Sequence, residues 1–414
     1  MPKKVLFFLG HFFQFPSDVI FFAFLPVIII YSWMKYFYKK IFHLKPNLMI
    51  SPLGEPFLFF LVKAARIEGL KADLIAYTST SYFRSLKGGF IINDHLISKY
   101  FFYLTDYLSI FTWACIKYDI FELPFSGGLL MMSHLRKLEL ILLKICAKKV
   151  IVFGYGSDSM LMTKIKKSHK YNVAMDLDEK AMKFYNEKKI RADILRAQKY
   201  ADVLIASGYL SYLGPKSVMV PIAIELTGWD YSPKKKSKIV TIVHSTNHPV
   251  FKGTRFIMKV IEKLQKNGFP LKLIFIKGKT LETCQKLYRK ADIVITDVIT
   301  GWYGFTACEA MALGRPVICY LREDLARANN LVQNIPIISA NPDNLEKAII
   351  ELSKDYGLRK KLAKDGQNFV LRYHSLDRLA EVKAIIYQRI WDNQKINQKI
   401  LIKPRKTKAA QCAE

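Results

Sequence analysis

The stretch Thr296–Tyr320, TDVITGWYGFTACEAMALGRPVICY, decides how the chain is read. Just before and into it, Asp292–Thr296 (DIVIT) is a short β-branched run of the kind that forms a strand buried on both faces. Gly301 and Gly304 break that pattern, so the chain turns tightly and leaves backbone N–H groups accessible. Phe305–Leu313 consists of good helix formers, and Gly314 followed by Arg315-Pro316 supplies the stop. Val317–Tyr320 reads as the next buried strand. A strand, a glycine turn and a helix N-terminus together favour an anion, because free N–H groups and the helix dipole point at it. Glu309 lies one turn into the helix, on the side that reaches past phosphates toward a ribose. The arrangement suggests a nucleotide diphosphate.

Working outward, the same alternation of strand and helix recurs. Lys238–His244 is a strand, followed by Lys252-Gly253-Thr254 at the start of a helix running to about Gln265. Leu271–Ile276 is a strand and Leu281–Lys290 a helix, and Asn341–Tyr356 and Gly357–Tyr373 read as amphipathic helices. In the first half, Asn47–Ser51 is a strand, a turn carrying Gly54 follows, Glu55–Ile67 is a helix and Ala72–Tyr77 a second strand. Tyr77–Leu96 reads as a long polar loop in which Ser79, Thr80 and Ser81 face an acceptor or solvent. Lys148–Phe153 (KKVIVF) is a buried strand ending in Gly154-Tyr155-Gly156-Ser157-Asp158, at the edge where α/β sheets hold ligands. Lys199–Ser207 (KYADVLIAS) is echoed by Lys290–Thr296 (KADIVIT), which points to two similar α/β domains.

The N-terminus stands apart. Between Val5 and Met34 the only formally charged residue is Asp18, and Lys35, Lys39 and Lys40 follow among aromatic residues, as at a membrane interface. Pro16 and Pro26 are expected to break or kink a helix there, so both a span and a re-entrant hairpin remain open. The 414 residues carry a formal net charge of +30 with 51% hydrophobic content. That combination suits a protein at an anionic membrane surface, or a solvated lysine-rich one. The basic residues are scattered and no nucleic-acid-binding signature accompanies them, so no nucleic-acid partner is expected. The six cysteines form no CxxC or Cys/His cluster, so neither a zinc site nor a disulfide framework is indicated.

The central stretch resembles the donor-site signature of the retaining, group 1 (family 4-like) glycosyltransferases, the type that builds bacterial envelope polysaccharide. Gly304, Glu309, Ala310, Ala312, Gly314, Pro316 and Val317 match the family pattern in register. The resemblance implies an α/β GT-B fold, two Rossmann-like domains facing each other across a cleft, here preceded by an apolar membrane segment. It divides the chain into an apolar segment 1–44, an acceptor-side domain 45–230 and a nucleotide-sugar domain 231–380. A bracing helix 381–394 and a basic, disordered tail 395–414 complete it. It implies transfer of a sugar from a nucleotide-sugar to a hydroxyl of a glycan or lipid-linked acceptor, at the cytoplasmic face of the cell membrane. Glu309 takes the ribose-binding role, Lys252 that of the diphosphate clamp, and Gly304, Tyr303, Phe305, His244 and Gly54 are expected around the donor. Asp158 orients the donor sugar or the acceptor hydroxyl, or else caps a helix. No metal and no cofactor is called for, the nucleotide-sugar being a substrate. The pattern's first Glu falls on Gly301, and no arginine stands a few residues before Lys252.

Overall fold

The computed structural model describes residues 3–50, 56–77, 90–91, 98–156, 158–179, 182, 185–206, 217–328, 334–397 and 401. Gly54, Ser79, Thr80, Ser81 and Ser157 lie outside them. Strands β1 (Asn47–Ile50), β2 (Lys71–Ala76), β3 (Phe90–Ile91), β4 (Ile120–Pro124), β5 (Lys149–Phe153), β6 (Val203–Ala206) and β7 (Ser217–Met219) form one parallel sheet. Its order is β3-β2-β1-β4-β5-β6-β7. Strands β8 (Val240–Ser245), β9 (Leu271–Ile276), β10 (Ile293–Ile295), β11 (Val317–Cys319) and β12 (Ile337–Ser339) form a second, ordered β12-β11-β10-β8-β9. Every residue of β4, β5, β10 and β11 is buried, which is why these segments read as continuous apolar runs rather than alternating ones. β3 falls inside the stretch read as a polar loop, a correction: a two-residue edge strand is too short to show any period.

In each sheet the chain builds outward in one direction and then returns to the other side of its first strand. The reversal lies between β1 and β4 in the first sheet and between β8 and β10 in the second. Adjacent loops diverge at such a point, so a crevice opens beyond the strands' C-terminal ends.

Helix α1 (Lys3–Ile41) is one continuous helix. The expected break at Pro16 and Pro26 is therefore corrected. Each proline removes one intrahelical hydrogen bond, and the turns on either side carry the helix through. From Asp18 to Ile41 it is long and apolar enough to cross a membrane by length and composition. It rests against helix α3 (Ser98–Lys117), with the Phe21 and Phe111 rings 6.1 Å apart.

The C-terminal helices tie the two halves together. Helix α7 (Tyr356–Tyr373) belongs to the second half, and α8 (Leu376–Trp391), capped by Ser375, crosses to pack on α2 (Pro56–Ile67) of the first. Inside that contact Lys383 and Tyr387 both donate to Glu122 of β4, the tyrosine at 2.7 Å. The pair is fully buried, so either charge alone would be costly. Leu401, in the stretch read as a disordered tail, is buried and its carbonyl accepts from Arg378 at 2.7 Å, which corrects that reading at this residue.

Candidate active site

A cleft of about 1310 Å³ lies where the two crevices face each other. Its second-domain wall is built from the loops after β8, β9 and β10. After β8 comes a single helical turn, α4 (Pro249–Lys252), and then α5 (Thr254–Lys266). Gly253 joins them at φ +69°, a left-handed conformation that favours glycine, and Val298 and Ile299 pack where a Cβ would be. This turn puts Lys252 on the cleft surface with its side chain 37% exposed.

Lys252 does not stand alone. Its Nζ lies 2.9 Å from Oδ2 of Asp297, which is buried. Asp297 follows β10 and accepts from the backbone N–H groups of Ile299 (3.0 Å) and Thr300 (2.8 Å) and from the Thr300 hydroxyl. Burial alone would lower the Lys252 pKa. The charge and hydrogen bond of Asp297 outweigh it, so the ammonium sits above its ordinary value and stays charged. Sequence reasoning missed Asp297 although it lies in the opening stretch. An Asp directly after an apolar run gives no hint of a lysine 45 residues away.

Helix α6 (Phe305–Ala312) starts at Gly304, and no side chain caps it. Gly304 has extended backbone angles that other residues adopt. A Cβ built there meets nothing within 4 Å, so the fold itself does not require glycine at this position. Thr300, Phe305 and Thr306, on either side of the turn, line the cleft. Glu309 lines it too, one turn further in, and burial alone pushes its carboxyl up to about 7. Gly301 is different. Its φ of +91° is left-handed, and a Cβ there would lie 2.3 Å from Cδ of Arg322. The backbone at this position cannot readily present the carboxylate that the family pattern has.

Two expected donor contacts are corrected. His244 is fully buried, its Nδ1–H donates to the Ile295 carbonyl (2.8 Å) and its Nε2 accepts from the Thr254 hydroxyl (2.8 Å). Burial lowers its pKa, so it is a neutral strut between β8, β10 and α5. Tyr303 is also buried, stacked on Trp302, and its hydroxyl donates to Nε2 of His374 at 3.0 Å. The other His374 nitrogen donates to the Ile222 carbonyl at 2.6 Å, while Ile224 N–H donates to the His374 carbonyl. Burial holds His374 down at about 4, hence neutral. Tyr303 therefore couples the glycine turn to the crossing segment between the domains. Both residues sit beside the motif in sequence and beneath it in space.

The first-domain wall is mostly aromatic and apolar: Phe57 and Phe60 at the start of α2, Tyr155, Met160, Val173 and Tyr185. Asp158 is not among the lining residues. Its Oδ1 accepts from Tyr155 N–H, Gly156 N–H and the Ser159 hydroxyl, closing the turn that presents Tyr155. It caps no helix, the next one beginning at Met162. Burial raises its carboxyl to about 6, and its Oδ2 is buried with no hydrogen-bond partner among the described residues.

Among the described residues no His/Cys/Asp/Glu group could hold a metal ion. Asp176-Leu177-Asp178 is an Asp-x-Asp triplet that sequence reasoning passed over, and both Asp176 oxygens accept from Arg255 at 2.7 Å across the cleft.

Residues 237–369 match the family model for glycosyl transferases, group 1. That match lies within the second half of the chain. An uncharacterized glycosyltransferase of Methanocaldococcus jannaschii is 27% identical over 122 residues, 29% of this chain, which spans 31% of that relative's length. Over most of its length the chain shares its fold with HepE of Anabaena, solved with UDP-glucose (TM-score 0.55, 12% identity, 83% of this chain, 99% of that one). It shares it also with a sucrose-phosphate synthase of Thermosynechococcus elongatus (TM-score 0.56, 12% identity, 84% and 100%). The catalytic domain of starch synthase IV of Arabidopsis thaliana, bound to ADP and acarbose, gives a TM-score of 0.55 at 11% identity, over 84% and 100%. At these identities the likeness establishes the fold, which is GT-B-like.

Proposed function

We propose that this chain transfers a sugar, hexose or related, from a nucleotide-sugar to an acceptor hydroxyl with retention of configuration, in the synthesis of envelope polysaccharide or glycolipid. The observation that carries the reading is Glu309, a half-buried carboxylate facing the cleft one turn inside an uncapped helix start. A carboxylate there accepts from ribose hydroxyls, while the open N–H groups beyond Gly304 and the Lys252 ammonium meet the diphosphate. Charge grows on the diphosphate as the glycosidic bond breaks, and a cation held by Asp297 meets it without reorganising. In this reading no metal is required. Asp158 sustains the Tyr155 turn, and the leaving phosphate accepts the acceptor's proton. The enzyme works at the cytoplasmic face of the membrane on a glycan or lipid-linked acceptor.

Gly301 favours a second reading, a transferase-like protein that binds nucleotide-sugar or glycan without turnover, because its backbone excludes the family's carboxylate. Incubating the full-length chain with a panel of nucleotide-sugars, membrane lipid extract and EDTA separates the two. Turnover of one donor, lost in Glu309→Ala, supports the transferase. Binding without turnover supports the second reading, and no binding removes both.

A further inference from the structure

Helix α1 has two apolar faces. Phe21 and Ile28 are buried against the first domain and Leu25 and Ile29 pack beside them. On the opposite face Ile20, Phe24, Val27, Tyr31, Met34, Tyr38 and Ile41 recur every three or four residues and are 47–69% exposed. All four charged residues between positions 18 and 41 are turned to the domain. Asp18 pairs with His134 at 2.8 Å, Lys35 and Lys39 hold Asp119 at 3.0 and 2.7 Å, and Lys40 reaches Asp392 at 2.8 Å. The Lys35 ammonium also donates to the Ile116 carbonyl (2.8 Å) and the Trp33 indole to the Ile145 carbonyl (3.0 Å).

These pairs fasten both ends of a segment about 33 Å long, at about 1.5 Å per residue, to one α/β domain. That length is about the thickness of a bilayer's hydrocarbon core. A segment tied to the same domain at both ends cannot cross the core unless the domain enters it or the pairs break. Asp119 would then lose both ammonium partners while its side chain is only 4% exposed. Apolar residues also border the helix on the domain itself. Ile116 and Ile145 lie at its hydrogen-bonded flank, with Trp113 and Leu138 near them, all 38–43% exposed. The sequence N-terminal to Asp18 continues apolar, and the chain's charge of +30 is of the sign that an anionic leaflet attracts.

We infer that residues 18–41 lie in the plane of the membrane, the outer face of α1 and the bordering residues of the first domain resting together in one leaflet. This deepens the membrane location proposed above and places the first domain, whose cleft wall is aromatic, directly on the bilayer. A stripe this long and uncharged exceeds what soluble monomers leave in water, and a second copy packed on it is the competing occupant.

The test uses the full-length chain with vesicles of phosphatidylcholine, with and without phosphatidylglycerol. Nitroxide labels go singly at Ile20, Val27, Met34 and Ile41 in a chain carrying Cys284→Ser and Cys412→Ser. Equal, shallow depth at all four positions is the expected result. The Val27→Glu, Met34→Glu double variant should lower the vesicle-bound fraction about tenfold while nucleotide binding is kept. A gradient of depth along the helix would mean a span and overturn the inference. Absence of lipid contact, with a dimer in solution that Met34→Glu dissociates, would overturn it too. Nucleotide binding in the same samples keeps the two readings apart: equal depth without any nucleotide binding removes the transferase and leaves the in-plane helix.

Discussion

The two walls of the cleft differ in kind. The second-domain wall is polar and built around backbone geometry, with Lys252 after β8 and Thr300, Thr306 and Glu309 after β10, at the point where the sheet order reverses. The first-domain wall offers aromatic and apolar side chains such as Phe57, Phe60, Tyr155 and Tyr185. A phosphate-bearing ligand needs N–H groups and a cation and, among the described residues, finds them together on the second-domain wall. The other wall suits the faces of sugar rings or an apolar chain. The difference assigns donor and acceptor to opposite sides of the cleft in the proposed reaction.

The largest effect should come from the polar wall. Lys252→Ala should lower kcat about 10²–10³-fold in nucleotide-sugar turnover, with a smaller change in donor KM, because the cation matters most as charge develops. If KM alone rises, the cation serves ground-state binding and the comparison weakens.

Next comes pH. Glu309 is raised to about 7, so its carboxylate form is lost as pH falls through that value. Donor Kd should rise by about tenfold per pH unit below 7, and Glu309→Gln should flatten that slope. The stability sign is opposite. A folded-state pKa above the unfolded one stabilises the fold at pH below about 4.5, and that stability is lost as pH rises toward 7. Thermal unfolding of Glu309→Gln should show less loss than wild type across that window.

On the apolar wall, Phe60→Ala should raise acceptor KM about tenfold and leave donor Kd within about twofold, measured by titration. A change in donor Kd of the same size would erase the distinction between the walls. Smallest of all, Gly301→Ala should cost about 1–3 kcal/mol of stability, read as a Tm lowered by a few degrees. An unchanged Tm would mean Arg322 yields without cost.

The same contrast explains what the sequence disclosed. The part of the second-domain wall around Glu309 is written in consecutive residues, since a buried strand, a glycine turn and a helix start adjoin in the chain, and residues 293–312 display all three. Strands β1, β2, β5 and β8 are legible as apolar runs bounded by turns. The first-domain wall gathers Phe57, Tyr155, Met160 and Tyr185 from separate elements, and nothing in their spacing marks them. His244 and Tyr303 adjoin their motifs in the chain, but adjacency in sequence does not set exposure to a ligand. Which side of a strand faces the cleft is settled by partners such as Thr254 and His374, far away in sequence. Asp297 and the docked face of α1 depend on tertiary contacts in the same way, and Pro26 concealed a helix that its neighbours sustain.

In the proposed reaction the second-domain wall holds the donor nucleotide through Glu309. Calorimetric titration of the full-length chain with UDP, ADP and GDP at pH 8 in EDTA tests it most directly. At least one should bind, at least about tenfold more weakly to Glu309→Ala and equally well to Phe60→Ala. Binding indifferent to Glu309→Ala, or lost in Phe60→Ala alone, would contradict the account.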